Sequence, residues 1–174
     1  MEEQVILVDR NDAEVGIMEK MEAHYKGILH RAFSVFIFNS KGELLLQQRA
    51  EDKYHSAKQW TNTCCSHPRP NETTIVAAKR RLREEMGMEC QLHYGFNFLY
   101  KTSFVNNLIE HEFDHVFFGV TDDLPIVNTN EVMAYKYMDM NLLGNDLIVN
   151  PSQYTAWLNI CFDKVLEFKN TAYA

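Results

Sequence analysis

The pattern of hydrophobic and polar positions predicts a chain built mostly of strands, with helices at two places. Apolar runs bounded by Asp, Asn, Gly or Pro are typical of strands. The strongest run opens at His30 and is apolar on both faces, which predicts a strand at the centre of a sheet. The predicted strands are residues 4–8, 31–38, 43–48, 60–67, 90–100, 108–120 and 131–138, and residues 140–144 are predicted to form a helical turn.

Apolar residues recur every three or four positions in two further segments, and this spacing predicts amphipathic helices. The first segment covers residues 72–86, with Asn71 or a neighbour as its cap and Gly87 as its end. Its apolar face consists of Ile75, Ala78, Leu82 and Met86. The second segment covers residues 152–168, with Ser152 as its cap. Strands and helices in this order indicate a mixed α+β fold.

Length and composition predict one domain of the globular class. With 174 residues, of which 46% are hydrophobic, the chain can bury a sizeable core. The net charge of −7 argues against a nucleic-acid surface as the main partner. A local basic cluster can still bind an anionic substrate within an acidic protein.

The four cysteines, Cys64, Cys65, Cys90 and Cys161, are expected to be reduced thiols. A chain of this length needs no disulfide to fold, and adjacent strand residues such as Cys64 and Cys65 point to opposite faces. The N-terminus lacks the positive start and long apolar run of a signal peptide. No run approaches the roughly 20 apolar residues that span a bilayer. These features predict a cytoplasmic protein without a membrane partner.

Two pairs of glutamates suggest a cation site. Glu84 and Glu85 fall in the last turn of the first predicted helix, where the helix dipole disfavours negative charge. Glu110 and Glu112 are two apart in a predicted strand, so they share a face and repel each other. A divalent cation would relieve both conflicts, and carboxylates together with histidines suit zinc, manganese or magnesium. Solvated carboxylates explain the same pattern, so the residues alone leave the choice open.

A stretch of the chain resembles a known motif. Five residues have the spacing of the Nudix box: Glu72, Arg80, Glu84, Glu85 and Gly87. Ser66 stands in place of the first glycine of that box, and Arg81 in place of a glutamate that is a chief metal ligand in Nudix hydrolases. The preceding residues 60–68, Trp-Thr-Asn-Thr-Cys-Cys-Ser-His-Pro, resemble the signature of type I isopentenyl diphosphate isomerases, a branch of the Nudix superfamily.

This resemblance implies an enzyme that interconverts isopentenyl diphosphate and dimethylallyl diphosphate. The reaction is a 1,3-allylic proton shift, in which protonation and deprotonation proceed through a carbocation and need two acid–base groups. A Nudix-type diphosphate hydrolase is the alternative, and that reaction needs the glutamate that Arg81 replaces in this chain. A non-catalytic, metal-stabilised module is a third interpretation.

The resemblance also implies the ligands of the site. One divalent metal, Mn²⁺, Zn²⁺ or Mg²⁺, is expected to bind His24, His30, His67, Glu110 and Glu112. A second ion, a Mg²⁺ that arrives with the diphosphate, is expected at Glu85. The isoprenoid diphosphate is expected to contact Lys20, Arg49, Lys53, Ser66 and Arg81.

Cys65 and Glu112 match the acid–base pair of the family, and the sequence leaves open which donates the first proton. Tyr100 matches a tyrosine that hydrogen-bonds near this carboxylate, and Trp157 resembles the indole that stabilises the carbocation. A core tryptophan on an amphipathic helix is the alternative for Trp157. The histidines without a motif position are His55, His93, His111 and His115, and the last two are expected to be structural or surface groups.

The resemblance extends over about residues 4–160 and implies the αβα sandwich of the Nudix fold. We therefore expect a single, monomeric domain over residues 1–174. Its core is expected at about residues 28–165, and the N-terminal segment 1–27 is expected to contribute metal and substrate contacts.

Overall fold

The computed structural model describes residues 3–172, and within them nine strands form one mixed sheet. In chain order the strands are β1 (Gln4–Val8), β2 (Glu14–Glu19), β3 (His30–Phe38), β4 (Leu44–Arg49), β5 (Trp60–Thr61), β6 (Cys64–Ser66), β7 (His93–Ser103), β8 (Ile109–Val120) and β9 (Val132–Met138). The α-helices are α1 (Lys20–Lys26), α2 (Thr74–Met86), α3 (Met140–Val149) and α4 (Ala156–Ala172), and a 3-10 turn at Pro151–Gln153 precedes α4.

Strand β3 lies at the centre of the sheet, as its apolar character on both faces predicts. It pairs antiparallel with β1, β4 and β6 and parallel with β8. The β3–β8 ladder runs from His30 beside Glu112 to Phe38 beside Val120. Strand β7 continues the sheet beyond β8, and β9 pairs with β4. The start of β3 therefore lies beside the start of β8.

Helices cover both faces of the sheet. Side chains alternate along β3, so Val35 and Ile37 pack in the core beneath α2, whereas Phe36 and Phe38 pack in the core beneath α3 and α4. Both groups are almost completely buried. This arrangement confirms the predicted αβα sandwich.

Helix α2 begins at Thr74 rather than at residue 72. Thr73 is the N-cap residue and makes no side-chain capping hydrogen bond, while Asn71 adopts a left-handed conformation, with φ 65°, in the preceding turn. Gly87 ends the helix as predicted. Its φ is 63°, and a Cβ there would lie 2.4 Å from the carbonyl oxygen of Ile126, so only glycine suits the position.

The segment after β9 is more helical than predicted. Helix α3 has ten residues instead of a single turn, because the Asp139 carboxylate caps its N-terminus by accepting from the backbone N–H groups of Asn141 and Leu142. Gly144 does not end this helix. It lies against Phe162 of α4, where a Cβ would come within 3.1 Å of the ring.

Helix α4 begins at Ala156 rather than at residue 152, because Ser152 belongs to the 3-10 turn. Within residues 3–172, no helix combines the length and apolar character needed to cross a bilayer.

The predicted strand at residues 60–67 divides into β5 and β6 around Asn62 and Thr63. The side chain of Asn62 donates to the carbonyl of Val35, and the Thr63 hydroxyl donates to the carbonyl of Leu45. Cys64 is buried in the core beneath α2, whereas Cys65 points to the other face of the sheet. All four cysteines are free thiols, as expected.

Candidate active site

A polar pocket opens where the first residues of β3 and β8 lie side by side. Its walls come from the loop after β4, from β6 and α2, and from β7, β8 and α4. The predicted site residues that line it are Lys20, Arg49, Lys53, Cys65, Ser66, His67, Arg81, Glu85, Tyr100, Glu110, Glu112 and Trp157. His24 and His30 lie directly beside this pocket, with ring centroids 5.5 and 5.0 Å from that of His67. The structure thus brings the predicted residues together.

Four buried side chains form a cluster suited to a metal ion. One ligand atom from each of His24, His30, His67 and Glu112 lies within 4.8 Å of the others. Short connections set this geometry: His24 is on α1, which ends at Gly27, and His30 opens β3 directly afterwards, beside Glu112 of β8.

The hydrogen bonds of His24 and His30 leave their Nε2 atoms free for a metal. Nδ1 of His24 lies 2.7 Å from the carbonyl oxygen of Lys20, and Nδ1 of His30 lies 2.8 Å from that of Ile28. A carbonyl can only accept, so each Nδ1 carries the proton and each Nε2 carries a lone pair. Both Nε2 atoms are buried without a hydrogen-bond partner. Unpartnered nitrogens of this kind, fixed by backbone carbonyls, fit a bound divalent cation.

Glu110 and Glu112 are buried side by side and share the Tyr100 hydroxyl. The hydroxyl lies 3.1 Å from Oε2 of Glu110 and 2.6 Å from Oε2 of Glu112. Burial and the neighbouring Glu112 raise the pKa of Glu110 well above its ordinary value. Burial also opposes ionisation of Glu112, but the neighbouring imidazoles of His30 and His67 hold its pKa well below the ordinary value. A positive charge beside two carboxylates this close together stabilises their ionised forms.

Cys65 and Trp157 reach the same pocket from β6 and α4. Burial raises the pKa of the Cys65 thiol, so this group is protonated at neutral pH. The Trp157 side chain is buried, and its indole N–H donates to Oδ1 of Asn62 at 3.0 Å. The Arg49 guanidinium lies 5.3 Å from the indole centroid. The ring is therefore held in one orientation, with a face at the pocket wall.

Basic side chains gather on another side of the pocket. Arg81 contacts the carboxylates of Glu85 at 2.6 Å, Glu84 at 2.8 Å and Glu131 at 3.2 Å. Lys53 forms an ion pair with the same Glu131. The Nε atom of Arg81 is buried without a hydrogen-bond partner, so this cation retains capacity to bind an anion.

The sequence matches the NUDIX domain family over residues 28–158. Isopentenyl-diphosphate Delta-isomerase 2 of Aromatoleum aromaticum is 52% identical over 170 residues, which cover 98% of this chain and 90% of that protein. Isopentenyl-diphosphate Delta-isomerase of Pectobacterium atrosepticum is 52% identical over 165 residues, covering 95% of this chain and 92% of the relative. The chain belongs to the isopentenyl-diphosphate Delta-isomerase branch of the Nudix family. The resemblance drawn from residues 60–88 is confirmed.

Solved structures agree on the Nudix fold. DR0079 from Deinococcus radiodurans superimposes with a TM-score of 0.79 at 20% identity, covering 93% of this chain and 98% of that chain. The MutT protein from Methanosarcina mazei Go1 gives a TM-score of 0.67 at 18% identity, covering 84% of this chain and 96% of that chain. At such identities these similarities concern the fold alone.

Helix α2, which carries most of the Nudix-box residues, contains both structural and pocket residues. Glu72 accepts hydrogen bonds from Nε and Nη2 of Arg80, both at 2.8 Å, and so ties the start of α2 to its middle. Glu85 is buried, and its second oxygen accepts from Nε2 of Gln47 at 2.8 Å. Arg81, at the position of a hydrolase metal ligand, presents a cation beside Glu85 instead of a further carboxylate.

Two residues of the site were not identified from the sequence. His55 is buried, and its Nε2 lies 3.0 Å from Oε1 of Glu110. Asp114 also lines the pocket, where Oδ2 accepts from the Ser34 hydroxyl at 2.8 Å. Asp114 shares a strand face with Glu110 and Glu112, which the period of two along β8 could have indicated. No signal in the sequence points to His55, which lies in an irregular loop.

His111 and His115 face away from Glu112, as the regular strand predicts. Nδ1 of His111 lies 3.1 Å from the carbonyl oxygen of Gly27, and Nε2 of His115 lies 2.9 Å from Oδ2 of Asp12. Both contacts join β8 to the N-terminal part of the chain.

Proposed function

We propose that this protein is an isopentenyl-diphosphate Δ-isomerase that interconverts isopentenyl diphosphate and dimethylallyl diphosphate. The observation that carries the proposal is the convergence of the Cys65 thiol, the Glu112 carboxylate and the Trp157 indole on one buried pocket. The names of the relatives at about half identity support the same reaction.

The reaction requires one proton donor and one proton acceptor. A proton adds to the terminal methylene carbon of isopentenyl diphosphate, and the electron pair of the double bond forms the new C–H bond. The neighbouring tertiary carbon becomes a cation. Loss of a proton from the carbon on its other side returns an electron pair and forms the internal double bond of dimethylallyl diphosphate. We propose Cys65 and Glu112 as the two groups that exchange these protons.

The states of these two side chains suit acid–base chemistry. Burial keeps Cys65 as a thiol, while the neighbouring histidines favour the ionised form of Glu112. The pocket therefore holds one group that can donate and one that can accept. The Tyr100 hydroxyl, 2.6 Å from Glu112, orients the carboxylate.

Trp157 is the proposed stabiliser of the cation. An indole face attracts a positive charge within about 6 Å, and the attraction strengthens where water is excluded. The hydrogen bond from the indole N–H to Asn62 fixes the ring before substrate arrives, which limits reorganisation during the reaction.

We propose that His24, His30, His67, Glu110 and Glu112 hold one divalent ion, Mn²⁺, Zn²⁺ or Mg²⁺. When bound, the ion supplies positive charge that stabilises the two buried carboxylates and controls protonation of Glu112. Glu85 is proposed to hold a Mg²⁺ that accompanies the diphosphate. Its buried carboxylate, fixed by Gln47 and Arg81, supports this role.

The proposed diphosphate contacts are Lys20, Arg49, Lys53, Ser66 and Arg81. Arg49 and Arg81 both carry a buried Nε without a hydrogen-bond partner, which an anionic oxygen can satisfy. The alternative, a Nudix-type diphosphate hydrolase, is disfavoured because Arg81 replaces the glutamate ligand of that reaction. A cation at this position binds phosphate oxygens but cannot hold a metal.

We infer a single functional domain whose N-terminal segment belongs to the site. The family match begins at residue 28, yet Lys20 and His24 precede it and reach the pocket from α1. One chain supplies every site residue named above, so we propose a monomer. The reduced thiol that the chemistry requires favours the cytoplasm.

Proton NMR of the purified protein with isopentenyl diphosphate and Mg²⁺ in D2O tests the proposal. We expect dimethylallyl diphosphate to form with deuterium incorporation, and Cys65→Ala to abolish both. Cys90→Ala, at a half-buried thiol away from the pocket, is the matched control. Release of inorganic phosphate without a double-bond shift would establish the hydrolase instead.

A further inference from the structure

Glu131, directly before β9, contacts two cations of the proposed diphosphate site, although no motif assigns it a role. Its Oε1 lies 3.2 Å from Nη2 of Arg81, and its Oε2 forms an ion pair with the ammonium of Lys53. We propose that Glu131 is a positioning residue, which holds Lys53 and Arg81 side by side with their remaining N–H groups available to the diphosphate. This inference rests on the proposed function and deepens its account of substrate binding.

The Glu131 carboxylate contacts these cations from outside the pocket. Lys53 and Arg81 both line the pocket, whereas Glu131 is not among the described residues that line it. An anion in the pocket and the Glu131 carboxylate can therefore bind the same two cations at the same time. We infer that Glu131 supports the diphosphate rather than competing with it for positive charge.

Arg81 is held at both ends of its guanidinium. Nη1 contacts Glu84 at 2.8 Å, and Nη2 contacts Glu85 at 2.6 Å as well as Glu131. A guanidinium is planar, so fixing its two terminal nitrogens also fixes the direction of the Nε–H bond. This Nε is buried and has no hydrogen-bond partner. It is the donor that a phosphate oxygen can take.

Lys53 depends on Glu131 more than Arg81 does. Within residues 3–172, Glu131 is the one acidic partner of Lys53, whereas Arg81 also pairs with two glutamates of α2. A lysine ammonium is a point charge on a flexible four-carbon stem, and an ion pair restricts its position. Loss of the Glu131 charge would also leave Lys53 and Arg81 as two neighbouring cations that repel each other.

Backbone hydrogen bonds fix Glu131 between the two segments that carry these cations. The N–H of Ala50, three residues before Lys53, donates to the carbonyl oxygen of Glu131 at 3.0 Å. The N–H of Glu131 donates to the carbonyl oxygen of Asn128 at 2.9 Å, and the N–H of Asn128 donates to that of Glu85 on α2, also at 2.9 Å. The carboxylate therefore has a fixed base from which to hold both cations.

The charge of Glu131 can be removed without changing its shape. Burial opposes ionisation of this carboxyl group, but Lys53 and Arg81 hold its pKa below the ordinary value, so it is ionised at neutral pH. Glutamine has nearly the same size and carries no charge. Glu131→Gln therefore tests the ion pairs rather than the packing.

Isothermal titration calorimetry with inorganic pyrophosphate and saturating Mg²⁺ tests the proposal on the whole chain without requiring catalysis. We expect Glu131→Gln to weaken pyrophosphate binding about tenfold. In a Lys53→Met background the same substitution should weaken binding by about threefold or less, because one of the two cations that Glu131 positions is absent. Glu89→Gln is the matched control, since it removes an exposed carboxylate that pairs with Arg83.

Steady-state kinetics with isopentenyl diphosphate provide the second measurement. Glu131→Gln should raise KM by about the same factor and leave kcat within about twofold, because the proposed acid–base pair is unchanged. Glu131→Asp keeps the charge on a side chain that is one methylene shorter, so it should recover part of the lost affinity. This variant also serves if Glu131→Gln fails to fold, and it should then weaken pyrophosphate binding relative to wild type.

The outcomes separate this inference from the proposed function. Unchanged or tighter pyrophosphate binding in Glu131→Gln overturns the proposal, because Glu131 would then take no part in binding or would compete with the anion. An equal loss in the wild-type and Lys53→Met backgrounds also overturns it and makes Glu131 a structural residue. If the expected losses occur but no dimethylallyl diphosphate forms, the proposed function is wrong and the role of Glu131 stands. A wild-type protein that binds no pyrophosphate would overturn both.

Discussion

His30 and Glu112 stand directly opposite each other in the parallel β3–β8 ladder, and Nε2 of His30 lies 3.5 Å from Oε1 of Glu112. Sheet register alone sets this proximity. A slip of one residue between the strands would turn the Glu112 side chain to the opposite face of β8, where His111 and His115 lie. The position of His30 beside Glu112 in the candidate metal site is therefore a direct product of strand pairing.

Removal of metal is expected to destabilise the protein. Without a cation, Glu110 and Glu112 remain buried beside each other. A ligand present at about 100 times its Kd stabilises the folded state by about 2.7 kcal/mol, which corresponds to a Tm difference of roughly 5–10 °C for a chain of this size. Thermal unfolding with EDTA, compared with one equivalent of Zn²⁺ or Mn²⁺, measures the difference. Equal melting temperatures would contradict the metal centre.

The metal-free protein is expected to lose stability as pH falls below about 6.5. Burial lowers the pKa of His24 to about 3 and that of His67 to about 4. In the unfolded chain these histidines titrate near 6.5, so below that pH the unfolded chain binds protons that the folded chain does not. The contribution of these two histidines to stability is complete above about pH 6.5 and falls towards pH 4.

Urea unfolding in EDTA at several pH values measures this dependence. Each histidine contributes a slope of up to about 1.4 kcal/mol per pH unit, so His24→Gln should flatten the curve by up to that amount. Curves for His24→Gln and wild type with the same pH dependence from pH 7.5 to pH 5 would show that His24 is not buried in neutral form.

The two adjacent cysteines are expected to respond differently to substitution. Cys65→Ser should lower turnover about 10²- to 10⁴-fold, the range that acid–base groups contribute, with little change in Tm. Cys64→Ala should lower Tm through loss of packing beneath α2 but leave the turnover of the folded enzyme near that of wild type. Isomerase assays and melting curves on both variants provide the comparison. Loss of turnover in Cys64→Ala but not in Cys65→Ser would assign the acid–base role to Cys64 instead of Cys65.

Trp157→Phe is expected to lower kcat by about 3- to 30-fold with a smaller change in KM. A cation–π contact contributes about 0.5–2 kcal/mol, and an indole ring makes a stronger contact than a phenyl ring. Because this contact stabilises the carbocation rather than the bound substrate, its loss lowers kcat more than it changes KM. Trp60→Phe is the control, because Trp60 is half-buried and contacts Lys136 outside the pocket. A change in stability without a change in kcat would identify Trp157 as a core residue only.

Arg81→Gln is expected to raise KM for the diphosphate about 10- to 100-fold, because a charge-assisted hydrogen bond contributes about 1.5–3 kcal/mol. Arg83→Gln removes an exposed arginine from the same helix and should have no such effect. Steady-state kinetics at saturating Mg²⁺ measures both. If Arg81→Gln leaves KM unchanged, Arg81 is not part of the proposed diphosphate site.

Much of the fold follows from the sequence pattern because the signals are local. The apolar run opened by His30 is long enough to define β3, and Gly87 marks the end of α2 through a conformation that only glycine adopts readily. The short α1 was not predicted, since its seven residues carry little periodicity and it depends on the Glu19 cap and on Gly27. The continuation of α3 past Gly144 was not predicted, because the packing partner of Gly144, Phe162, is distant in sequence.

The site was predictable where the family resemblance assigns a role to its residues. Cys65, His67 and Glu85 lie in one stretch whose residues resemble a known signature, so they could be assigned together. His55 has no such context, and its contact with Glu110 depends on a loop conformation fixed by Phe104 and Asn106. Tertiary contacts of this kind leave no trace in hydropathy or spacing.

The parallel pairing of β3 with β8 orders events during synthesis of the chain. When the ribosome has released residues up to the end of α2, the nascent chain holds His24, His30 and His67 but neither Glu110 nor Glu112. The two carboxylate ligands of the proposed metal centre are therefore added only when β8 is synthesised. Until β8 emerges, the apolar strand β3 lacks its parallel neighbour, so the partly synthesised chain exposes an unpaired strand edge of the kind that favours aggregation.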